Sequence, residues 1–326
     1  MTGEYIKKVL GTLFFSTNYF NKVRNSGLTI FAFHDVTDTP SDFVRENGLY
    51  VTPKCFSAQM KWIRNNYSLL NPRDLLDFSV QKLNKTALIT FDDGWKGSFK
   101  NAIPIMHESN IPSLHFLNMS NIICKNPCIP ALVNYLMLKN EDVKIFFSKL
   151  EINHPFYLDV TPTIMNSCLD SITSADYEAA LLYQGEFASE EHLKEVESSS
   201  IVSFGNHLYE HYNARKLSSN ELERQYRKNE EFLSVYKNYL PLFAFPHGQP
   251  DTCFSTSEIK NLRSFGAKKV FSCGSSINKM TGNFVLDRVS LNNSYDSNNM
   301  LYYVASKESF KNLIGLINKN KKYLAI

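Results

Sequence analysis

Cysteine is scarce here: Cys55, Cys124, Cys128, Cys168, Cys253 and Cys273 are spread over 326 residues with no repeating spacing. That argues against the disulfide frameworks of small secreted domains. Cys124 and Cys128 also lack the second pair that a cysteine-rich zinc site requires. Free thiols in a reducing compartment are the expectation. A dominant charge is absent too: the net charge is +3, too small to call for a nucleic-acid partner. There are no internal repeats and no low-complexity linker. A secretory signal is not evident, because polar residues interrupt the apolar positions between Tyr5 and Val23 and no small-x-small cleavage site follows. The same stretch is too short and polar to span a bilayer, which takes about 20 apolar residues. Residues 1–26 therefore read as an amphipathic helix. It either packs on the domain or lies on an anionic membrane, with Lys7, Lys8, Lys22 and Arg24 flanking its apolar positions. The expected location is cytoplasmic, peripheral on the membrane in the second case.

What is present is a chain long enough for one large α/β domain or two smaller ones. Apolar runs predict strands at 28–33, 87–91, 113–117, 201–205, 242–245, 269–272 and 284–286. Helical patterns fall between and after them, at 53–65, 72–78, 97–109, 218–236, 255–265 and 306–318, with Ser218 and Glu221 forming a capping box. Strands alternating with helices predict a parallel sheet, and about seven units predict barrel-like closure within residues 27–326. Residues 121–199 interrupt the alternation with mostly helical signal and read as an insertion near one rim.

The chemistry concentrates at strand ends. Asp92 and Asp93 close an apolar run, and Gly94 supplies the turn that lets adjacent carboxylates do different work. His207 and His211 are four apart, the spacing that puts two imidazoles on one face of a helical turn. One aspartate with two histidines makes a three-ligand set, leaving a divalent metal a position open for water. His34, His247, Asp287 and Arg288 also follow predicted strands. In parallel barrels the C-terminal strand ends share one rim, so motifs distant in sequence converge there.

Thr90-Phe91-Asp92-Asp93-Gly94 and His207-x-x-x-His211 resemble the first two motifs of the polysaccharide deacetylases, the NodB-like carbohydrate esterases. Phe243 to Gly248 resembles the third motif and Leu286 to Val289 the fourth. The stretch Phe33-His34-Asp35-Val36 is similar to the opening of a subgroup whose catalytic acid has moved to the N-terminal end, as in poly-N-acetylglucosamine deacetylases. The likeness runs from about Thr29 to Leu291 and implies a distorted (β/α)₇ barrel. It implies Asp93, His207 and His211 as ligands of one divalent metal, zinc by preference with other first-row metals fitting. Asp92 is then the general base and His34 the acid. No histidine follows His247, so no C-terminal acid competes.

The resemblance further implies that Arg288 orients Asp92, that Asp287 orients His34, and that the Pro246-His247 segment offers a backbone N–H to an oxyanion. Trp95 reads either as a platform for a sugar ring or as a core aromatic. His247 departs from the family's usual tyrosine, Leu208 from its usual hydroxyl residue, and the third motif lacks an arginine whose place Arg288 takes. The expected activity is removal of an N-acetyl group from an amino sugar of a surface polysaccharide or its precursor. The rivals are a deformylase or non-sugar amide hydrolase, and an inactive carbohydrate-binding scaffold.

Overall fold

The computed structural model describes residues 3–76, 83–152, 158–279 and 282–323. Six buried strands lie side by side and parallel in chain order: β1 (Leu28–Phe33), β2 (Thr86–Phe91), β3 (Ser113–Leu117), β4 (Val202–Asn206), β5 (Tyr239–Ala244) and β6 (Lys269–Ser272). β7 (Val285–Asp287) pairs with β6 at one edge of the sheet, and β8 (Val289–Ser290) pairs with β1 at the other. β7 and β8 are one extended stretch interrupted at Arg288, so a single broken stave spans both edges. The result is a nearly closed, distorted (β/α)₇ barrel.

Side-chain alternation explains what each stave presents. Leu28, Ile30, Leu88, Leu114, Phe116, Leu240, Leu242, Phe271 and Leu286 fill the barrel interior as one apolar cluster. The intervening residues Phe31, Phe33, Ile89 and Phe91 pack outward against Phe56, Met60 and Ile63 of the helix Pro53–Asn66. Counting on in twos brings Asp92 from Leu88, His34 from Ile30, and Arg288 from Leu286 to the inner side of the rim. Asp287 falls on the outer side.

Three expected elements differ. The pattern at 97–109 opens as a π-helical turn, Ser98–Ala102, before the α-helix Ile103–Glu108. Pro104 has no N–H to give the carbonyl four residues back, and the ladder widens there. The last helix begins at Asn298, well before 306. At 72–78 a 3₁₀ helix runs from Pro72 to Leu76, and the remainder lies outside the described residues. The capping box of Ser218 and Glu221 is formed.

The N-terminal stretch folds as two helices, Gly3–Ser16 and Tyr19–Arg24, and the first packs against the last helix. Its outer face leaves Tyr5, Ile6, Val9 and Leu13 exposed. No helix among the described residues is long and apolar enough to cross a membrane. The stretch 121–199 carries helices Ile129–Lys139, Glu141–Lys149, Pro162–Cys168, Ser174–Gln184 and Glu190–Val196, with Phe187 in an isolated bridge to Trp95. The six cysteines are unpaired.

Candidate active site

Asp92 ends β2 on the inner side and meets Arg288 from the broken stave. The guanidinium grips the carboxylate at both oxygens, 2.5 Å to Oδ1 and 2.8 Å to Oδ2, with both side chains buried. Burial alone would push the Asp92 carboxyl up; the positive charge of Arg288, helped by His207, outweighs it and holds the group below its ordinary value. Arg288 also reaches the Cys273 thiol at 3.5 Å, a neighbour that no sequence motif announced. Burial raises that thiol above its ordinary value.

Asp93 is turned away from Asp92 by a backbone in the left-handed region, φ 70° at Asp93 and 89° at Gly94. Gly94 is needed there, since a Cβ would also stand 3.1 Å from Ile122. The turn aims Asp93 Oδ1 at two imidazoles, with His207 Nε2 and His211 Nε2 each 3.3 Å away. Burial would raise the Asp93 carboxyl, but the two imidazoles hold it well below its ordinary value. His207 Nδ1 donates to the Ala244 carbonyl at 2.8 Å, which fixes the ring with Nε2 facing Asp93. Oδ1 is buried and has no hydrogen bond. A carboxylate oxygen and ring nitrogens left facing one another are reconciled by a shared cation. All three ligand atoms lie within 4.8 Å of one another, so the donor set fits a divalent metal.

The helical spacing of His207 and His211 misleads. The segment is an irregular loop with Leu208 at φ 64°. Asn118 Nδ2 donates to the Leu208 carbonyl, and the Asn206 side chain accepts from Leu208 N–H. These amides take the backbone groups a helix would use.

Trp95 is 1% exposed, stacked on Phe187 at a centroid distance of 4.2 Å, and donates its indole N–H to Asp93 Oδ2 at 2.9 Å. Trp95 also lines the cavity, with one ring face covered by Phe187 and its polar edge holding a proposed metal ligand. Asp287 corrects a second expectation. Facing outward, its carboxylate takes the Ser272 hydroxyl and does not line the cavity where His34 sits.

His34, Asp92, Asp93, His207, His211 and His247 do share one cavity of about 510 Å³ at the C-terminal strand ends. Burial lowers the His34 imidazole, with Asp93 and Asp92 opposing. His247, at φ 61°, stands edge-on to His211 with ring centroids 4.6 Å apart, and the Pro246 carbonyl accepts from Gly248 N–H. Asn118 and Asn121 line the same cavity without having been singled out from sequence. The available signal was Asn118's place one residue past β3, where the other site residues sit on their own strands.

Residues 79–270, more than half of the chain, match the sequence profile of the polysaccharide deacetylases, and the chain belongs to that family. His34 and Arg288 lie outside the matched stretch. Over 75 residues the chain is 33% identical to "Putative polysaccharide deacetylase YxkH" of Bacillus subtilis, a stretch covering 22% of this chain and 27% of that protein. Among solved structures it is similar to IcaB from Ammonifex degensii, with TM-score 0.53 and 16% identity, covering 85% of this chain and 97% of that one. It is also similar to the Streptococcus pyogenes deacetylase PplD, solved in complex with acetate, with TM-score 0.55, 13% identity and coverage of 85% and 98%. A de-N-acetylase from Aggregatibacter actinomycetemcomitans matches with TM-score 0.53, 15% identity and coverage of 85% and 99%. At these identities the likeness is one of fold.

Proposed function

We propose that the protein is a metal-dependent N-deacetylase acting on an N-acetylated amino sugar of a surface glycan or its precursor. The observation that carries the reading is the pairing of two aspartates with two different partners. Asp92 is clasped by Arg288, and Asp93 faces His207 and His211. Asp93, His207 and His211 would hold one divalent cation, zinc by preference, which supplies Lewis acidity at the acetyl carbonyl and lowers the pKa of water.

Asp92 takes the proton released as water adds to the carbonyl carbon. Arg288 keeps Asp92 ionised and aimed for that work. His34 gives a proton to the nitrogen as the C–N bond breaks, so that the products are acetate and a free amine. Burial lowers its proton affinity, which makes the protonated ring a stronger acid and also a scarcer one. Trp95 fixes the second oxygen of Asp93, and so the direction in which the first one points.

The test combines metal analysis with acetate release from an N-acetylated oligosaccharide. The purified protein should carry about one divalent metal per chain, lost in His207→Ala and in His211→Ala. Asp92→Asn should keep the metal and lose about 10²–10⁴-fold in turnover. Full metal in both histidine variants removes the proposed coordination; no acetate with full metal leaves the inactive scaffold or a different amide as the answer.

A further inference from the structure

Packing on the barrel uses one face of the helix Gly3–Ser16 and leaves another bare. Gly11 and Phe14 are its buried residues, set against Asn299, Tyr303 and Phe310 of the helix Asn298–Tyr323. Tyr5, Ile6, Val9 and Leu13 are instead 55%, 48%, 49% and 47% exposed. Wound at about 3.6 residues per turn, these four fall within one arc roughly 100° wide that holds no charged residue. The water-facing side of a surface helix ordinarily carries charge. The neighbouring helix adds Leu313 and Ile314, also exposed. Of the twelve large apolar side chains exposed among the described residues, seven belong to these two helices. Such concentration is unlike the single exposed apolar residues scattered over any protein surface.

Charge is segregated in the same place. Residues 1–26 carry Lys7, Lys8, Lys22 and Arg24 against Glu4 alone, and residues 298–326 carry five lysines against Glu308 alone. The whole chain is only +3, so the part between these stretches is net negative. A second copy of the chain would bring the same basic helices against this face, and like charges across a two-fold contact repel. An anionic partner is attracted instead. A bilayer with acidic headgroups meets both demands, with negative charge at the level of the lysines and acyl chains beneath for the apolar stripe.

From this arrangement we infer that the bare face of the helix Gly3–Ser16 docks the folded protein on an anionic membrane surface, lying in the interface without crossing it. Neither helix contributes a described residue to the cavity, so docking is tested apart from the chemistry.

The experiment is cosedimentation of the full chain with vesicles of phosphatidylcholine mixed with phosphatidylglycerol, and with vesicles of phosphatidylcholine alone. Binding should be at least about tenfold tighter to the anionic vesicles, since each lysine near such a surface contributes about fivefold, and added salt should weaken it. Ile6→Gln combined with Val9→Gln should weaken binding by about tenfold or more. The melting temperature should stay at the parental value, because both side chains already stand half in water. Leu182→Gln, at an 84% exposed apolar residue of the insertion, should change neither. No binding to either vesicle, undiminished binding by the double variant, or an equal loss in Leu182→Gln overturns the proposal. So does a dimer formed without lipid that the double variant converts to monomer, because the stripe then belongs to a second copy.

Discussion

Single residues at this rim differ in what their surroundings ask of them. His34 and Asp35 are neighbours with opposite prospects. His34 faces the cavity with Asp92 and Asp93, and in the proposed mechanism it protonates the leaving amine. An activated ester needs no such proton. His34→Ala should therefore slow amide cleavage at least tenfold more than cleavage of an activated N-acetyl-sugar analogue carrying an aryl acetate. Equal slowing of both would make His34 a positioning group and send the search for the acid to His247. Asp35 faces the Gly97 turn instead, accepting the Val36 N–H at 2.9 Å. Burial pushes its carboxyl from 3.8 up to about 6. The folded pKa is raised, so the folded state binds a proton that the unfolded chain has already released. Stability is then lost as pH climbs from about 4 to about 6 and stays lower above that, by up to about 3 kcal/mol. Asp35→Asn, which can accept the same bonds without a charge, should flatten that decline. Melting curves across pH 4–7 check it, and an unchanged slope in the variant would remove Asp35 from the account.

At the scale of elements, barrel strands read easily where apolar runs are long, and poorly where chemistry interrupts them. β1, β3 and β6 coincide with their expected limits because an unbroken run of buried residues sets each one. The closing stave was visible only as 284–286, since Asp287 and Arg288 are charged and end any hydropathy signal. In the fold the stretch continues to Ser290, and the charge is the point: Arg288 turns inward at the break to reach Asp92. Two-residue strands such as Asp35–Val36 and Tyr50–Val51 leave no periodic trace at all. Spacing reports helix geometry only while backbone groups bond along the chain, and in the His207–His211 loop asparagine side chains intercept them. Gly205 shows how closely the staves are fitted. It faces inward between β3 and β5, where a Cβ would stand 2.6 Å from the Phe116 ring and 2.9 Å from the Leu242 carbonyl oxygen. Gly205→Ala should cost about 1–3 kcal/mol, because overpacking a filled interior forces ring and backbone apart. Chemical denaturation measures it; a neutral effect would mean the ring has room the geometry denies.

Across the whole molecule, the two ends of the chain work together at a distance from the chemistry. The helix Gly3–Ser16 and the helix Asn298–Tyr323 lie against each other, and with Pro53–Asn66 they cover the outer face of β1. Aromatic rings fill the seam: Phe14 meets Phe310 at 5.0 Å, Phe15 stacks on Tyr302 at 4.7 Å, and Phe20 packs on Trp62 at 5.4 Å. Such rings bury large areas and dominate the energetics of a contact between elements. The closest approach is at Gly11, where a Cβ would lie 1.8 Å from the Asn299 carbonyl oxygen, so no side chain fits unless the helices part. Among the described residues, none that lines the cavity belongs to either helix. Gly11→Val should therefore separate stability from chemistry, lowering the unfolding free energy by about 1–3 kcal/mol. Metal content and kcat/KM at low temperature should stay at the parental values. Hydrogen exchange should show the loss first in the two terminal helices, because elements open in cooperative units and the least supported opens most easily. If activity falls in step with stability at temperatures where the variant is folded, the outer layer is transmitting strain through β1 to His34, and the separation of cladding from rim fails.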